Sequence, residues 1–296
     1  MKTRSAFVAI VGRANVGKSS LLNALVGEKL AIVSKKPQTT RTRITGILTK
    51  EDTQLVFIDT PGMHIPKTKL SHHMVSSAKT SISDVELVVL MVEAGKDADE
   101  IEHDLISNIK AAKTPCVLVI NKIDLLSQKD ALIEQIATYS KILDFEAIIP
   151  ISVKNNDGIT NIYDEIYSHA EPSPHFFPRD AVTDQPERII AAEMIREKLL
   201  RLLNQEVPHG IAVVVERMQQ RDDKPIIDID AVIYCERSSH KGIVIGKGGS
   251  MLKRIGQYAR EDMESFFNSK INLQCWVKVK EDWRNKEGSI QNFGLS

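Results

Sequence analysis

Two glycine-rich loops in this chain combine lysine with closely spaced glycines, and their residue types and spacing could do chemistry. The first, GRANVGKS from Gly12 to Ser19, matches G-x-x-x-x-G-K-[ST], follows the apolar AFVAIVG and begins the helical pattern KSSLLNALVG. Such a loop surrounds phosphate oxygens with backbone amides at a helix N-terminus, where the helix dipole favours an anion. Lys18 would bridge the β- and γ-phosphates, and the Ser19 hydroxyl would bind Mg²⁺. The predicted nucleotide contacts of this loop are Gly12, Asn15, Val16, Gly17, Lys18, Ser19 and Ser20.

Two further stretches could complete a phosphate and metal site. DTPG, Asp59 to Gly62, ends the apolar QLVFIDT, which would bring the Asp59 carboxylate to Mg²⁺ and the Gly62 amide to the γ-phosphate. Asp-Thr-Pro-Gly is also a common plain turn, but its distance from the first loop favours function. In KKPQTTRTR, Thr40 is preferred over Thr39 as a Mg²⁺ ligand that binds only with a γ-phosphate present, so this segment and the one after Asp59 are predicted switches. An ordinary solvated loop is the alternative. Lys18, Thr40 and Gly62 are the predicted catalytic residues.

NKID and ISVK predict that the base is guanine. Asp124 would accept hydrogen bonds from guanine N1–H and its 2-amino group, whereas adenine would leave the carboxylate unpaired. Asn121 would contact the purine and tie the loops together, and the Lys122 stem would cover one ring face. Ser152, Val153 and Lys154 complete the pocket, with the last two amides placed for guanine O6. The four stretches in this order predict GTP and GDP as ligands.

Hydrolysis is predicted to be slow. Met63 follows Gly62 at the position where Ras-like enzymes have a glutamine, and a thioether cannot orient an attacking water. The side-chain carbonyl of Asn15 could help to bind K⁺ beside the phosphates, although an ordinary loop hydrogen bond explains this residue equally well.

The second loop, GKGG from Gly246 to Gly249, lacks the spacer of the first and fits the G-x-x-G turn between two helices that binds single-stranded RNA in KH domains. The window from 237 to 260 has several Lys and Arg residues but neither Asp nor Glu. Glycines let phosphates approach the main chain, and lysines neutralise them. A helix end with a flexible turn is the ordinary explanation. The predicted RNA contacts are Lys241, Gly246, Lys247, Gly248, Gly249 and Lys253.

The elements that must position these loops follow from the apolar pattern. The 296 residues suggest two domains. The first alternates almost wholly apolar runs with helical patterns, which predicts a mixed, mostly parallel α/β sheet, and the turn at Glu51 and Asp52 predicts an antiparallel edge hairpin. After the proline-rich EPSPHFFPRDAVTDQPE the order becomes α-β-β-α-α-β, an α+β domain. The predicted boundaries are 1–172, a linker at 173–186, and 187–296.

Composition excludes several classes of protein. Hydrophobic residues make up 42% and charged residues 26% of the chain, which is typical of a globular protein. The formal net charge is zero, so a nucleic-acid partner must be bound by local charge. No apolar run reaches transmembrane length, and the N-terminus lacks a secretory pattern. The scattered cysteines are predicted to be reduced core thiols of a cytoplasmic protein.

Together these motifs resemble the Era family, bacterial GTPases with a C-terminal KH domain of the second type. The resemblance extends to PQTTR, FFPRDAVTD, AAEMIREKLL, IGKGGSMLKRIG and LQCWVKVK, although the family usually has Ala in place of Val153. It implies maturation of the small ribosomal subunit, binding of the 3′ end of its ribosomal RNA under GTP control, and peripheral contact with the inner membrane. We expect no DNA partner and a monomer.

Two other functions stay open at this point. The second domain could bind a protein or lipid through its basic face, with no RNA. Alternatively, the chain could modify RNA and use GTP as a gate, although the second domain lacks a cysteine-histidine site, a second cofactor loop and clustered carboxylates.

Overall fold

The computed structural model describes residues 3–34, 36, 39–63, 66, 68–128, 130–204 and 207–295. The chain forms two compact units. The first contains residues 1–31, 40–66 and 71–184, and the second contains residues 32–39, 67–70 and 185–296. Within the described residues, no helix is both long enough and apolar enough to cross a bilayer.

The first unit is a mixed sheet flanked by helices. Its elements are β1 (Arg4–Gly12), α1 (Lys18–Val26), β2 (Ile44–Lys50), β3 (Thr53–Asp59), α2 (Lys69–Thr80), β4 (Leu87–Glu93), α3 (Glu100–Ala112), β5 (Cys116–Asn121), α4 (Asp130–Ser140), β6 (Ala147–Ile151), α5 (Ile159–Ser168) and the short β7 (Glu171–Pro172). The strand order is β2-β3-β1-β4-β5-β6, and β7 pairs antiparallel with β1. The first two residues of α2 cluster with the second unit.

The burial of the central strands explains why they are apolar throughout. Every residue of β5, and every residue of β4 except Glu93, is buried, because helices cover both faces of a parallel sheet. β2 pairs antiparallel with β3 through a turn in which Glu51 has φ 54°, so the predicted edge hairpin is present. The carboxyl ends of the parallel strands then place Gly12, Asp59 and Asn121 at one edge of the sheet.

The proline-rich segment after β7 is hydrogen-bonded to β2 and β3. The buried Gln54 side chain accepts from the amides of Phe176 and Phe177 at 2.8 and 3.0 Å and donates to the Phe177 carbonyl at 3.0 Å. Further along, the Ile47 amide donates to the Val182 carbonyl at 2.8 Å. The part of this segment up to Asp184 therefore belongs to the first unit.

The second unit has the predicted α-β-β-α-α-β order. Its elements are α6 (Glu187–Leu202), β8 (Ile211–Gln220), β9 (Ile226–Cys235), α7 (Ser238–Ile245), α8 (Ser250–Phe267), β10 (Lys270–Val279) and α9 (Glu287–Asn292). β9 pairs antiparallel with β8 and parallel with β10. On α8, Ile255, Ala259 and Met263 lie on one stripe and are fully buried, and Phe266 and Phe267 pack against the same core.

Sequence patterns did not predict the short C-terminal helix α9. Just before it, Trp283 is fully buried, and its Nε1 donates to the Gly210 carbonyl at 3.0 Å. Phe293 packs between the rings of Trp283 and Tyr234, with ring centroids 5.3 and 4.7 Å away. A helix of six residues is too short for a periodic pattern, and aromatic packing holds it in place.

Candidate functional site

The loop between β1 and α1 has a backbone that only glycine can form. Gly12 has φ 149°, and an added Cβ would lie 2.4 Å from the Met91 carbonyl oxygen. Gly17 has φ 112°, and an added Cβ would lie 2.3 Å from Asn121 Nδ2. At the start of α1, Gly17 supplies no side-chain cap and the first turn has no acidic residue. The first amides of α1 are therefore suited to an anion from outside the helix.

Lys18 places its ammonium group over this loop. It is buried, and Nζ donates to the carbonyls of Gly12 and Arg13 at 3.1 and 2.8 Å. Burial lowers the pKa of Lys18 to about 8, against the opposing effect of the Asp59 charge. A cation that is this poorly solvated gains strongly from an added polyanion.

Ser19, Thr40 and Asp59 meet at the end of β3. Ser19 Oγ lies 2.7 Å from Asp59 Oδ2 and 2.8 Å from Thr40 Oγ1, which itself lies 3.4 Å from Asp59 Oδ2. Asp59 is fully buried, and in the described part of the chain its Oδ1 has no hydrogen-bond partner. Burial raises the pKa of Asp59 to about 6, although Lys18, Ser19 and Thr40 oppose the shift. Hydroxyl and carboxylate oxygens with an unsatisfied charge are a donor set that fits Mg²⁺.

Thr39 does not join this cluster. Its hydroxyl contacts Ser34 Oγ at 3.1 Å and donates to the Lys36 carbonyl at 2.6 Å. The structure therefore brings Thr40, and not Thr39, to Ser19 and Asp59. Lys35, Pro37 and Gln38 of the first predicted switch, and His64, Ile65 and Lys67 of the second, lie outside the described residues.

The backbone after Asp59 lies against the first loop. The Met63 amide donates to the Gly12 carbonyl at 3.2 Å. An added Cβ on Gly62 would lie 2.7 Å from Ala14 Cα, so glycine permits this close approach. The Met63 side chain is buried in the core beside Ala9 and Val11 and cannot hold a water by hydrogen bonding.

Asn121 joins three loops at the ends of the strands. Its Nδ2 donates to the Val16 carbonyl at 2.8 Å, and its Oδ1 accepts from the Val153 amide at 3.2 Å. The next residue, Lys122, has φ 70° and donates from Nζ to Glu93 Oε2 at 2.8 Å. The Val153 amide is thus already engaged by Asn121, and a guanine O6 would have to share or replace this bond.

Asp124 is held with its carboxylate charged. Ser152 Oγ donates to Asp124 Oδ1 at 2.7 Å, and Lys154 Nζ lies 3.6 Å from Oδ2. The hydrogen bond from Ser152 is the main cause of the lowered pKa of Asp124. The carboxylate is therefore a ready acceptor for two N–H donors.

Asn15 and Ser20, which were also predicted for this pocket, lie in the first loop and at the start of α1. Asn15 is exposed at φ 66°, and Ser20 is half-buried in the first turn of α1. Glu93 is a pocket residue that the motifs missed. Its position at the carboxyl end of β4, beside those of β1 and β5, was the signal that could have revealed it.

The second glycine loop lies between α7 and α8, as predicted. Gly246 has φ 72°, and an added Cβ would lie 2.7 Å from Met251 Cβ. Gly248 has φ 58° and faces open space. Lys241, Lys247 and Lys253 are exposed around the turn. The main chain here is accessible and surrounded by cations.

A groove of about 510 Å³ runs beside this turn, between α8 and β10. Its lining combines apolar stems with polar and cationic ends. The lining residues are Gly249, Leu252, Lys253, Gly256, Gln257, Arg260, Leu273 and Cys275. Only Gly249 and Lys253 were predicted from sequence, because the others are ordinary helix and strand residues until α8 and β10 are brought side by side.

Comparison with known proteins assigns the family. A family model described as a 50S ribosome-binding GTPase matches residues 7–122, and a KH domain model matches residues 206–284. GTPase Era of Clostridioides difficile is 50% identical over 99% of both chains, and that of Ruminiclostridium cellulolyticum is 51% identical over 99% of this chain and 98% of its own.

This chain belongs to the Era family of GTPases.

Two solved Era structures match over the whole length at 35% identity and a TM-score of 0.95. One is a single-residue variant of Aquifex aeolicus Era bound to GDP.AlF4⁻, which covers 99% of this chain and 100% of its own. The other is Era in complex with MgGDPNP and nucleotides 1506–1542 of 16S ribosomal RNA, with 99% of both chains covered. The predicted fold, a P-loop GTPase domain followed by a KH domain, is confirmed.

Proposed function

We propose that this Era-family chain is a Mg²⁺-dependent GTPase switch that binds the 3′ end of small-subunit ribosomal RNA and acts in assembly of the small subunit. One observation carries the proposal: the chain matches, from end to end, Era in complex with MgGDPNP and nucleotides 1506–1542 of 16S ribosomal RNA. The nucleotide pocket around Lys18 and the groove beside Gly246 support it independently of that match.

The nucleotide-binding roles follow from the geometry of the first unit. Gly12, Val16, Gly17 and the first turn of α1, including Ser20, surround the phosphates, and Lys18 neutralises them. Ser19, Thr40 and Asp59 would hold Mg²⁺, which neutralises charge on the phosphate oxygens. The Gly62 amide contacts the γ-phosphate, so the segment after Asp59 responds to its presence.

Guanine specificity follows from the second half of the pocket. Asp124 accepts from N1–H and the 2-amino group, Asn121 and Ser152 fix its surroundings, and the Lys122 stem covers the ring. The amides of Val153 and Lys154 donate to O6. Because the contact is made by backbone, Val153 in place of the family's usual Ala has little effect on guanine affinity.

The Met63 thioether is buried and cannot orient an attacking water. The rate of hydrolysis therefore depends on other groups. We therefore propose slow intrinsic turnover and a K⁺ ion bound near Asn15 that offsets charge at the phosphates. Replacing K⁺ by Na⁺ in a turnover assay lowers the rate if the ion contributes, and an unchanged rate would remove it from the mechanism.

The RNA-binding roles belong to the second glycine loop. Gly246, Gly248 and Gly249 let the phosphates approach the backbone, and Lys241, Lys247 and Lys253 neutralise them. Unstacked bases enter the groove between α8 and β10. We retain 1–172, 173–186 and 187–296 as the proposed nucleotide-binding domain, linker and RNA-binding domain.

Gly248→Asp tests the RNA-binding function directly. Gly248 has φ 58° and ψ 25°, a conformation that Asp tolerates, and an added Cβ meets nothing within 4 Å. We expect the carboxylate to weaken binding of single-stranded RNA about tenfold or more, with GTP affinity unchanged. The control is Gly288→Asp, an equally open glycine in α9. Equal RNA affinity for both variants would favour a protein or lipid partner for this face, and an RNA whose mass changes on incubation would indicate a modifying enzyme.

We also propose that the protein works as a cytoplasmic monomer that contacts the inner membrane peripherally and does not bind DNA. Family resemblance supports the membrane contact, and a single copy of each motif supports the monomer. Flotation of the purified protein with anionic lipid vesicles, and light scattering for its mass, test the two statements separately.

A further inference from the structure

Helix α6 contains consecutive charged side chains that are buried. Arg196, Glu197 and Lys198 are 2%, 0% and 5% exposed. Such residues are almost never fully buried without partners, because an unpaired buried charge is strongly destabilising. Their burial on successive positions of one helix therefore indicates specific partners on more than one side.

One partner is a stretch from the first half of the sequence. Residues 32–39, which we name the docked segment, belong to the same compact unit as α6. The Val33 amide donates to Glu197 Oε1 at 3.1 Å, and the Arg201 guanidinium donates to the Val33 carbonyl at 3.2 and 3.3 Å. Arg196 Nη2 donates to the Thr39 carbonyl. The contacts involve backbone atoms of the docked segment, so they depend on its conformation.

The docked segment ends where the metal site begins. Thr39 is bonded to Arg196, and the next residue, Thr40, is bonded to Ser19 and Asp59. A single peptide bond therefore joins a residue held by α6 to a residue of the predicted Mg²⁺ site. Because the Thr39 carbonyl and the Thr40 Cα lie in one peptide plane, a displacement of the Thr40 backbone also displaces that carbonyl.

Within α6, Arg196 also pairs with Glu193, and its Nε donates to Glu193 Oε1 at 2.7 Å. A further partner of the buried charges is α8. Lys198 Nζ lies 3.1 Å from Glu197 Oε2 and forms an ion pair with Asp262 of α8. α8 begins at Ser250, directly after the GKGG turn, and lines the RNA groove. The charges on α6 thus connect the docked segment to the helix that forms one wall of the groove.

One nitrogen of the Arg196 guanidinium has no acceptor among the described residues. This nitrogen, Nη1, is buried. An unsatisfied buried donor is unfavourable, so a second carbonyl of the docked segment would be a better partner than none. A further acceptor beside Arg196 would therefore stabilise this site.

We propose that α6 is the receptor for the docked segment and that Arg196 and Glu197 transmit occupancy of the nucleotide pocket to the RNA groove through Lys198 and Asp262. The inference rests on the proposed function and names its regulation. Arg196, Glu197 and Lys198 are positioning residues, which act through Thr39 on one side and Asp262 on the other.

The test is the ratio of RNA affinities in two nucleotide states of the full chain. The probe is a fluorescein-labelled single-stranded RNA with the 3′-terminal sequence of small-subunit ribosomal RNA, measured with GDP and with a non-hydrolysable GTP analogue. Couplings of this kind amount to about 5–150-fold. We expect Arg196→Met to reduce the ratio to about 2 or less. Arg217→Met, the same change at an exposed arginine of β8, should leave the ratio intact.

The outcomes separate the inference from the function on which it rests. A ratio of one in the unchanged protein would show that the nucleotide does not control RNA binding, which would also contradict the inference. A clear ratio that persists in Arg196→Met would overturn the inference alone. If Arg196→Met does not fold, the second variant is Glu197→Gln, which removes the charge paired with Lys198 and Arg201 and weakens the acceptor of the Val33 amide. Amide hydrogen exchange of residues 32–39 is then measured together with the ratio. Faster exchange with a reduced ratio supports the proposal, and unchanged exchange with an unchanged ratio contradicts it.

Discussion

Two glycines in the first unit have the same backbone freedom but different surroundings. Gly17 has φ 112° and an added Cβ would lie 2.3 Å from Asn121 Nδ2, whereas Gly27 has φ 83° and meets nothing within 4 Å. We expect Gly17→Ala to displace the phosphate loop and to lower GTP affinity by about 1–3 kcal/mol, measured by calorimetry. Gly27→Ala is the control and should lose stability but not affinity. Equal affinities for the two variants would contradict the role of Gly17.

The buried carboxylate of Asp59 destabilises the nucleotide-free fold. Its pKa in the folded state, about 6, is above the ordinary value of 3.8, so the folded state binds the proton more tightly. The loss of folding stability caused by the charged carboxylate is absent below about pH 4 and is complete above about pH 6. We expect Asp59→Asn to raise the free energy of unfolding of the nucleotide-free protein by about 3 kcal/mol at pH 8 and hardly at all at pH 4, measured by urea unfolding. The same variant should bind GTP with Mg²⁺ more weakly. Equal gains at both pH values would contradict ionisation as the cause.

At this scale the sequence predicted residues with chemical motifs and missed residues without them. Gly12, Lys18, Ser19, Asp59 and Asn121 could be named from spacing, because a phosphate loop and its partners have fixed intervals. Glu93 could not be named, because a single acidic residue at a strand end has no pattern until β4 lies beside β5. Thr40 was already preferred to Thr39 from the sequence, and in the structure Thr40 is the one beside Ser19 and Asp59.

At the scale of elements, one buried side chain makes several of the hydrogen bonds between the linker segment and the first sheet. Gln54 is fully buried. Its side-chain oxygen accepts from the amides of Phe176 and Phe177, and its nitrogen donates to the Phe177 carbonyl. We expect Gln54→Leu to leave these backbone groups without partners and to lower the free energy of unfolding by about 2 kcal/mol, measured by denaturant unfolding. Gln219→Leu, at an exposed position on β8, is the matched control. A similar loss in both would show that the linker contacts are not the cause.

Elements were predictable where their pattern was long. The strands from β1 to β6 and helices α6 and α8 follow from apolar runs and helical stripes, because burial on one or both faces dictates those patterns. β7 and α9 were missed, since two and six residues are too few to show a period. The apolar runs and the hairpin turn at Glu51 predicted a mixed, mostly parallel sheet but not the order of its strands.

At the scale of the whole molecule, a neutral chain must bind RNA with local charge. Three exposed lysines, Lys241, Lys247 and Lys253, surround the GKGG turn. If each neutralises one phosphate of a single strand, the slope of log K against log salt is about −2. We expect Lys247→Gln to bring the slope to about −1.4 without changing the preferred RNA sequence, measured by fluorescence anisotropy between low and physiological salt. A slope near zero in the unchanged protein would exclude these phosphate contacts.

The assignment of residues 32–39 to the second unit could not be read from the sequence. This stretch has a loop's composition, and its partners on α6 lie far along the chain: the Val33 and Glu197 bond spans 164 residues and the Arg196 and Thr39 bond spans 157. Long-range hydrogen bonds to a backbone leave no periodic trace in either partner. The sequence therefore predicted a switch segment but not its hydrogen bonds to α6.

The groove between α8 and β10 contains the thiol of Cys275, and burial lowers the reactivity of this group. Burial raises the pKa of Cys275 to about 12, and it raises the pKa values of Cys116 and Cys235 to about 12 and about 11. Only the thiolate reacts readily with peroxide or alkylating reagents, and at neutral pH these side chains hardly form it. We therefore expect all three native thiols to react slowly with peroxide at neutral pH, so that a covalent dye could be directed to a newly introduced cysteine.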